Sequence, residues 1–335
     1  MSDMTEEIAM QNMKTINHIG VSGGKDSTAL LLWAVHESGY PVETLRASFC
    51  DTGNEAKQTY EYVRMLSEKV LLIDWIKPPL NFYELAAKKH RFPSSKARFC
   101  TESLKIIPSR EHLRGLTQAG YVVTAHSGVR GGESHARGKL TEWEEAEGSQ
   151  MGVRTRRPLL SWSLEDVWAI HARYDIPRNP LYDMGCERVG CLPCVMSRKS
   201  EIALIAEKMP ERIDMIREQE SIVGEKRADS ISTFFARNKV PLRYRQKIIT
   251  IPLKELLIDG ATARDVVEFY EEADDQGILF EVDKPGGKVR IGGEEMAVAM
   301  IDDVVRWALE GRGKTKSFDM EDLEQVLVCQ SGMCE

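Results

Sequence analysis

The stretch Val21-Ser22-Gly23-Gly24-Lys25-Asp26-Ser27-Thr28 constrains this chain more than any other. An apolar run, His18-Ile19-Gly20-Val21, leads into it, and the helix-forming run Ala29-Leu30-Leu31-Leu32-Trp33-Ala34-Val35 leads out. The pattern is strand, tight glycine turn, helix. Backbone N–H groups at a helix N-terminus point outward and carry partial positive charge. Adjacent glycines let the main chain approach an anion with no Cβ in the way. Ser22, Lys25, Ser27 and Thr28 add donors. The segment therefore reads as a phosphate cradle at a helix start; the plain alternative is an ordinary glycine turn. It is not a Walker A loop, because Asp26 follows the lysine and the GxxxxG spacing is missing.

The same alternation continues downstream. Residues 41–50 read as a second strand ending in the polar turn Asp51-Thr52-Gly53-Asn54-Glu55, and a helix is predicted over about 56–69. Residues 70–76 read as a third strand, stopped by Pro78-Pro79, and 121–125 as another. Strands alternating with helices predict an α/β fold with a parallel, doubly wound sheet. Ligands of such sheets sit beyond the C-terminal strand ends, where the turns 22–28 and 51–55 fall; the 121–125 strand runs into a glycine- and charge-rich loop, 126–137. Ser163 is placed to cap a helix with Glu165 and Asp166 in its first turn and Leu164, Val167, Trp168 and His171 at its apolar positions. Residues 1–16 read as a helical lead-in, and 82–114 as helical segments around an irregular centre. Asn179-Pro180-Leu181-Tyr182 opens an irregular stretch that ends at a run of cysteines.

From Lys199 the pattern changes. Residues 199–222 predict a charged amphipathic helix interrupted at Pro210. A β-hairpin is predicted around Pro285-Gly286-Gly287, and two helices over about 294–310 and 319–328. The expected organisation is a nucleotide-binding domain over 1–200 and a mainly helical C-terminal region with a small hairpin over 201–335.

With 335 residues, 42% of them hydrophobic and 29% charged, the chain has the composition of an ordinary globular protein. No apolar run approaches the roughly 18–20 residues of a membrane span, so no membrane partner is expected. The acidic start Met1-Ser2-Asp3-Met4-Thr5-Glu6-Glu7 is unlike a secretory signal, and a cytoplasmic location is expected. In that compartment the seven cysteines read as ligands or reactive thiols rather than a disulfide framework. A net charge of −7 argues against a protein that coats nucleic acid with its whole surface, but leaves room for a local basic site.

Cys186, Cys191 and Cys194 form a C-x4-C-x2-C run, which reads as a metal or iron–sulfur site. A four-thiolate site needs one more ligand, and Cys100 is the best candidate. Ligand type alone leaves zinc and a 4Fe–4S cluster equally open. Cys50 reads as a small buried hydrophobe in a strand, and Cys329 and Cys334 lie in the tail. Positive charge gathers at 88–114, at Arg130 and Arg137, and at Arg154, Arg156 and Arg157. Arginine forks suit phosphate or sulfate oxygens; a solvated charged face is the alternative. The run Arg237–Lys247, with five basic residues and no acid, could grip a DNA or RNA backbone or be a charged face. His126, at a strand end, is open to either a catalytic or a structural role.

Taken together, these motifs resemble a known family. Ser22-Gly23-Gly24-Lys25-Asp26-Ser27 looks like the PP-loop of the adenine-nucleotide α-hydrolase-like superfamily, and Asp51-Thr52-Gly53 like its second-strand turn. The segment from Arg98 through Cys100 to Pro108 resembles the one carrying a cluster cysteine in sulfonucleotide reductases and in DNA phosphorothioation enzymes of the DndC type. The loop 128–137 is similar to their arginine loop. Arg157-Pro158-Leu159, Asp166-Val167-Trp168, Asn179–Tyr182 and the cysteine run complete the likeness over about residues 17–200. Jointly they resemble the phosphoadenosine phosphosulfate (PAPS) reductase family.

The resemblance implies a PP-loop (HUP-like) fold that binds ATP, PAPS or adenylyl sulfate. Ser22, Gly23, Gly24, Lys25, Asp26, Ser27, Asp51, Thr52 and Gly53 would bind the nucleotide. Lys25, Asp26, Arg130 and Arg137 would carry the chemistry, with Mg²⁺ on Asp26 or Asp51, and the cluster on Cys100, Cys186, Cys191 and Cys194. Two departures shape the expected reaction. Phe99 stands where cluster-bearing reductases have a second adjacent cysteine, and Cys186 would replace that ligand, as in the phosphorothioation enzymes. The tail Cys329-Gln330-Ser331-Gly332-Met333-Cys334-Glu335 lacks the reductases' Glu-Cys-Gly-x-His motif. ATP-dependent sulfur transfer is therefore the leading expectation, with a cysteine desulfurase as partner. A reductase using Cys334 or Cys329 with thioredoxin, and a non-catalytic nucleotide- and DNA-binding module, are the alternatives.

Overall fold

The structure is a computed structural model that describes residues 14–225, 227, 231–235, 240–250, 254–257, 281–282, 288–291 and 295–310. The chain divides into two compact units. One comprises Met1–Asn81, Thr101–Leu192 and Phe318–Glu335; the other comprises Phe82–Cys100 and Pro193–Ser317. The division crosses the chain more than once.

The first unit is the α/β sheet. β1 (Thr15–Gly20) runs into the glycine turn and α1 (Lys25–His36); β2 (Leu45–Cys50), α2 (Lys57–Lys69) and β3 (Ile73–Ile76) follow. A helical turn and a short π-helical stretch lead into α3 (Ile107–Gln118), then β4 (Val122–His126), β5 (Trp143–Glu144), β6 (Arg154–Arg156), α4 (Leu164–Arg173) and the single turn α5 (Pro180–Asp183). Strand order is β3-β2-β1-β4-β6-β5. All neighbours pair in parallel except β5, which is antiparallel to β6. Thr15 and Ile16 belong to β1 rather than to a helical lead-in, because Ile16 is buried and pairs with Val123 of β4.

Both faces of the sheet are covered, as parallel strands require. On one face α1 is buried almost all round: Ala29, Leu30, Leu31, Leu32 and Ala34 are fully buried among Phe49, Val63, Leu66, Val167 and Ile170. On the other, Leu113 of α3 packs with Ile16, Val123, Ala125 and Val153. Successive strands run outward from β1 through β2 to β3, and β4 then starts on the opposite side. The strand order therefore reverses between β1 and β4, and ligands of open α/β sheets bind at such a switch point. The loops after β1 and β4 meet there.

The second unit is helical with more strand than one hairpin. The expected interruption at Pro210 is present: α6 (Lys199–Lys208) ends and α7 (Pro210–Gly224) starts with proline in its first turn, where its missing N–H costs nothing. β7 (Lys247–Thr250) pairs with β11 (Glu295–Val298), and β8 (Lys254–Leu257), β10 (Lys288–Ile291) and β9 (Glu281–Val282) form a second antiparallel sheet. The β9–β10 pairing realises the expected hairpin in its described residues. The helix expected from residue 294 starts only at Ile301 (α8, Ile301–Leu309), because Glu295–Val298 is drawn into pairing with β7. Residues 1–13, the Arg237–Lys239 start of the basic run, the 319–328 helix, Cys329 and Cys334 lie outside the described residues.

Glu220 joins three segments of this unit. It is 2% exposed and accepts from Phe234 N at 2.8 Å and Ile301 N at 2.9 Å. Burial pushes its carboxyl up to about 7, opposed by those two backbone bonds and helped by Asp302 and Asp303. An acid whose folded value is raised is stabilised in its protonated form. Its contribution is full at low pH and is lost as pH rises from the unfolded value, near 4.5, through about 7. The expected outcome is a loss of roughly 3 kcal/mol between pH 5 and pH 8 in urea unfolding, and a flatter pH profile in Glu220→Gln.

Candidate functional site

The glycine turn is shaped by its own residues first. Gly23 has φ +75°, and a Cβ there would stand 2.9 Å from Thr59 Cγ2, so both conformation and space call for glycine. Ser27 Oγ accepts from Ser22 N at 3.1 Å, donates to Gly24 O, and lies 3.0 Å from Ser22 Oγ. The two serines thus close the turn on itself.

Distant side chains then brace it. Asn179 Nδ2 donates to Gly23 O at 3.1 Å, while its Oδ1 accepts from Leu181 N and caps α5. His171 Nε2 lies 2.9 Å from Lys25 O. Tyr182 Oη accepts from Lys25 N at 3.0 Å. Burial holds the His171 imidazole low, and its carbonyl partner makes Nε2 the donor. The sequence reading placed His171 at an apolar helix position and assigned Asn179 and Tyr182 no role. The legible signal was an Asn-Pro helix start, whose asparagine uses only its carbonyl as a cap and keeps an amide to spend elsewhere.

The charged residues assemble around Asp26, which is 3% exposed. Its Oδ2 lies 2.9 Å from Lys25 Nζ and its Oδ1 2.6 Å from Arg130 Nε. Arg130 also faces Glu133, and Glu133 binds Arg137. The four residues predicted to carry the chemistry are therefore one chain of alternating charge, with Glu133 as a member that sequence reasoning did not single out. The loop after β4 reaches α1 because Gly128 lies against it: a Cβ there would stand 3.0 Å from Asp26 O. Both Asp26 oxygens face cations, one the Lys25 ammonium and the other the Arg130 guanidinium.

The Asp51 turn is a second polar cluster of the same unit. Gly53 (φ +75°) donates to Asp51 Oδ1 at 3.0 Å, and Tyr60 Oη donates to the same oxygen at 2.7 Å. Burial and then the Asp51 hydrogen bond push the Tyr60 phenol far up, leaving it a fixed donor. Buried Glu55 accepts from Thr52 N and Thr52 Oγ1. Cys191 is brought to this turn by a backbone bridge to Glu55, with its Sγ 3.5 Å from Thr52 Oγ1 and 3.8 Å from Glu55 Oε1. Cys186 is buried and hydrogen-bonds through its N–H to Leu181 O. Cys100 and Cys194 belong to the second unit. Among the described residues no three His, Cys, Asp or Glu side chains converge as a metal site.

Other expectations resolve differently. Arg154, Arg156 and Arg157 pair with Glu145, Glu142 and Glu144, because the β5–β6 pairing sets the acidic strand against the basic one. His126 is 3% exposed, its Nε2 lies 3.1 Å from Asn17 Oδ1, and burial, then Arg156, lowers it to about 4. It is structural. Cys50, half-buried at the end of β2, lies 3.1 Å from Ser109 Oγ, and burial pushes its thiol up.

A phosphate loop at the switch point of a doubly wound sheet defines an α/β protein of the nucleotide-binding kind. The comparisons narrow this. The phosphoadenosine phosphosulfate reductase domain matches residues 17–197, and the chain belongs to that family. It is 36% identical over 289 residues to a 37.8 kDa protein from the gpa 5′ region of Escherichia phage 186, covering 72% of this chain and 85% of that one. It is 32% identical over 154 residues to an adenosine 5′-phosphosulfate reductase of Geobacillus sp. strain WCH70, covering 44% of this chain and 60% of that enzyme. A solved phosphoadenylyl-sulfate reductase from Candida auris aligns at TM-score 0.41 and 22% identity, over 57% of this chain and 88% of that one. No helix among the described residues is long and apolar enough to cross a membrane.

Asn179→Ala removes the amide that holds Gly23 O and the cap of α5 together. The expected cost is about 1–3 kcal/mol in urea unfolding.

Proposed function

We propose that the chain is an adenine-nucleotide enzyme that takes the pyrophosphate of ATP in the loop 22–27 and uses it for sulfur transfer. The observation that carries this reading is the loop itself: a braced helix start at the switch point, with Lys25 beside it. An acceptor oxygen attacks the α-phosphorus, the bond to the bridging oxygen breaks, and pyrophosphate leaves with the electron pair. Lys25 and the amides at the start of α1 stabilise the negative charge that develops on it. Arg130 keeps the carboxylate of Asp26 from claiming Lys25 alone. A persulfide carried by a partner such as a cysteine desulfurase then attacks the activated atom through its outer sulfur and displaces AMP with the electron pair of the broken bond; a partner dithiol, oxidised to its disulfide, reduces the resulting S–S bond and leaves the sulfur on the acceptor. DNA or RNA is the acceptor class we favour, through residues such as Arg243 and Lys247 of the basic run.

Purified protein should release pyrophosphate from ATP, and Lys25→Ala should reduce that release by at least about a hundredfold. Turnover unchanged in the variant would sink the mechanism. The likeness to adenosine 5′-phosphosulfate reductases supports a second reading, in which adenylyl sulfate or PAPS is reduced with thioredoxin. Sulfite release from either nucleotide, with no pyrophosphate from ATP, would favour it.

Cys186, Cys191 and Cys194, by their C-x4-C-x2-C spacing, and Cys100, by the resemblance of its segment to one that carries a cluster cysteine, remain the proposed thiolate set. When bound, a 4Fe–4S cluster there would hold or position the sulfur; zinc would be structural. Anaerobic purification should yield a brown protein with broad visible absorption that Cys191→Ser loses. A colourless protein with bound zinc would reject the cluster.

A further inference from the structure

Lys25 is the first residue of α1, so its N–H has no partner inside the helix and is one of the donors an anion at this end would use. That N–H donates to the hydroxyl oxygen of Tyr182 at 3.0 Å. The same hydroxyl lies 3.6 Å from where a Cβ on Gly24 would stand, so it sits over the turn itself. Tyr182 is aimed from far along the chain. Its ring meets Trp168 edge-on at 5.5 Å. The cap of its helix turn, Asn179, is the residue that also holds Gly23 O. Gly185 N donates to Tyr182 O and closes the turn. A neutral phenol oxygen is thereby held where a phosphate oxygen would accept.

We propose that Tyr182 is a built-in competitor at the phosphate loop: its hydroxyl takes the Lys25 amide, a phosphate oxygen must displace it to bind there, and it returns as pyrophosphate leaves. This rests on the reading that the loop 22–27 takes the pyrophosphate of ATP. The exchange is favourable because a hydrogen bond to a charged oxygen is roughly twice as strong as one to a neutral oxygen. It is reversible because the outgoing anion leaves an acceptor already in place. The hydroxyl thus weakens binding of the product and hastens its release.

Titration calorimetry with inorganic pyrophosphate on the full chain tests this. Tyr182→Phe keeps the ring against Trp168 and removes only the competing oxygen; Tyr182→Leu removes it in a different shape. Both are expected to bind pyrophosphate about two- to tenfold more tightly than the unaltered chain, the equivalent of one neutral hydrogen bond. Either variant decides the matter alone if the other does not fold. A side chain that merely supports the loop would move affinity the other way. If the unaltered chain binds, Lys25→Ala loses binding, and the tyrosine variants bind equally or more weakly, the competitor is overturned while the loop reading stands. If the unaltered chain and Lys25→Ala bind alike, the loop reading fails and the competitor falls with it.

Discussion

A carboxylate removed from water must be paired, and Asp26 is the carboxylate on which this site depends. It is 3% exposed and sits in the first turn of α1. One partner, Lys25, is its neighbour in sequence; the other, Arg130, arrives on the loop after β4. The pair of ion contacts ties together the two loops that flank the switch point. Glu133 and Arg137 extend the same alternation. The charges that look, residue by residue, like a set of ligands for an anion are thus first of all satisfied by one another.

The brace behind the loop obeys the same accounting of polar groups. Buried backbone atoms need partners, and three side chains of the segment that follows β6 supply them to Gly23 and Lys25. That segment goes on to Cys186 and Cys191, and Cys191 lies against the Asp51 turn. The phosphate loop, the second-strand turn and two of the cysteines are therefore held by a single stretch of chain, within one unit. Beneath them the buried histidines carry no charge: burial lowers His18 to about 3 and His126 to about 4. They serve the core through Ser48 and Asn17, not the chemistry above it.

Much of this was legible in the order of residues. The strand–turn–helix at the glycine turn, the parallel sheet, the Ser163 cap and the break at Pro210 follow from local rules of periodicity, capping and proline geometry. The misreadings share a cause. Thr15 and Ile16 were assigned to a helix although β4 recruits them into a strand. Residues 295–298 were assigned to a helix although β7 pairs with them. Arg154, Arg156 and Arg157 read in sequence as suited to an anion or to a charged face, and Glu142, Glu144 and Glu145, in and beside β5, pair with them. In each case a partner distant in sequence decided the outcome, and no local pattern encodes which distant strand will come alongside.

By itself, then, the sequence determined that this chain makes a glycine-turned phosphate loop at a helix start, because turn chemistry and helix-end electrostatics act within a few residues. It also determined the family to which the chain belongs. Only the tertiary structure decided which groups the loop presents and which it keeps. Asp26 is taken up by Arg130, and the Lys25 amide by Tyr182, because desolvated charges and orphan donors are satisfied by whatever the fold brings within hydrogen-bonding reach.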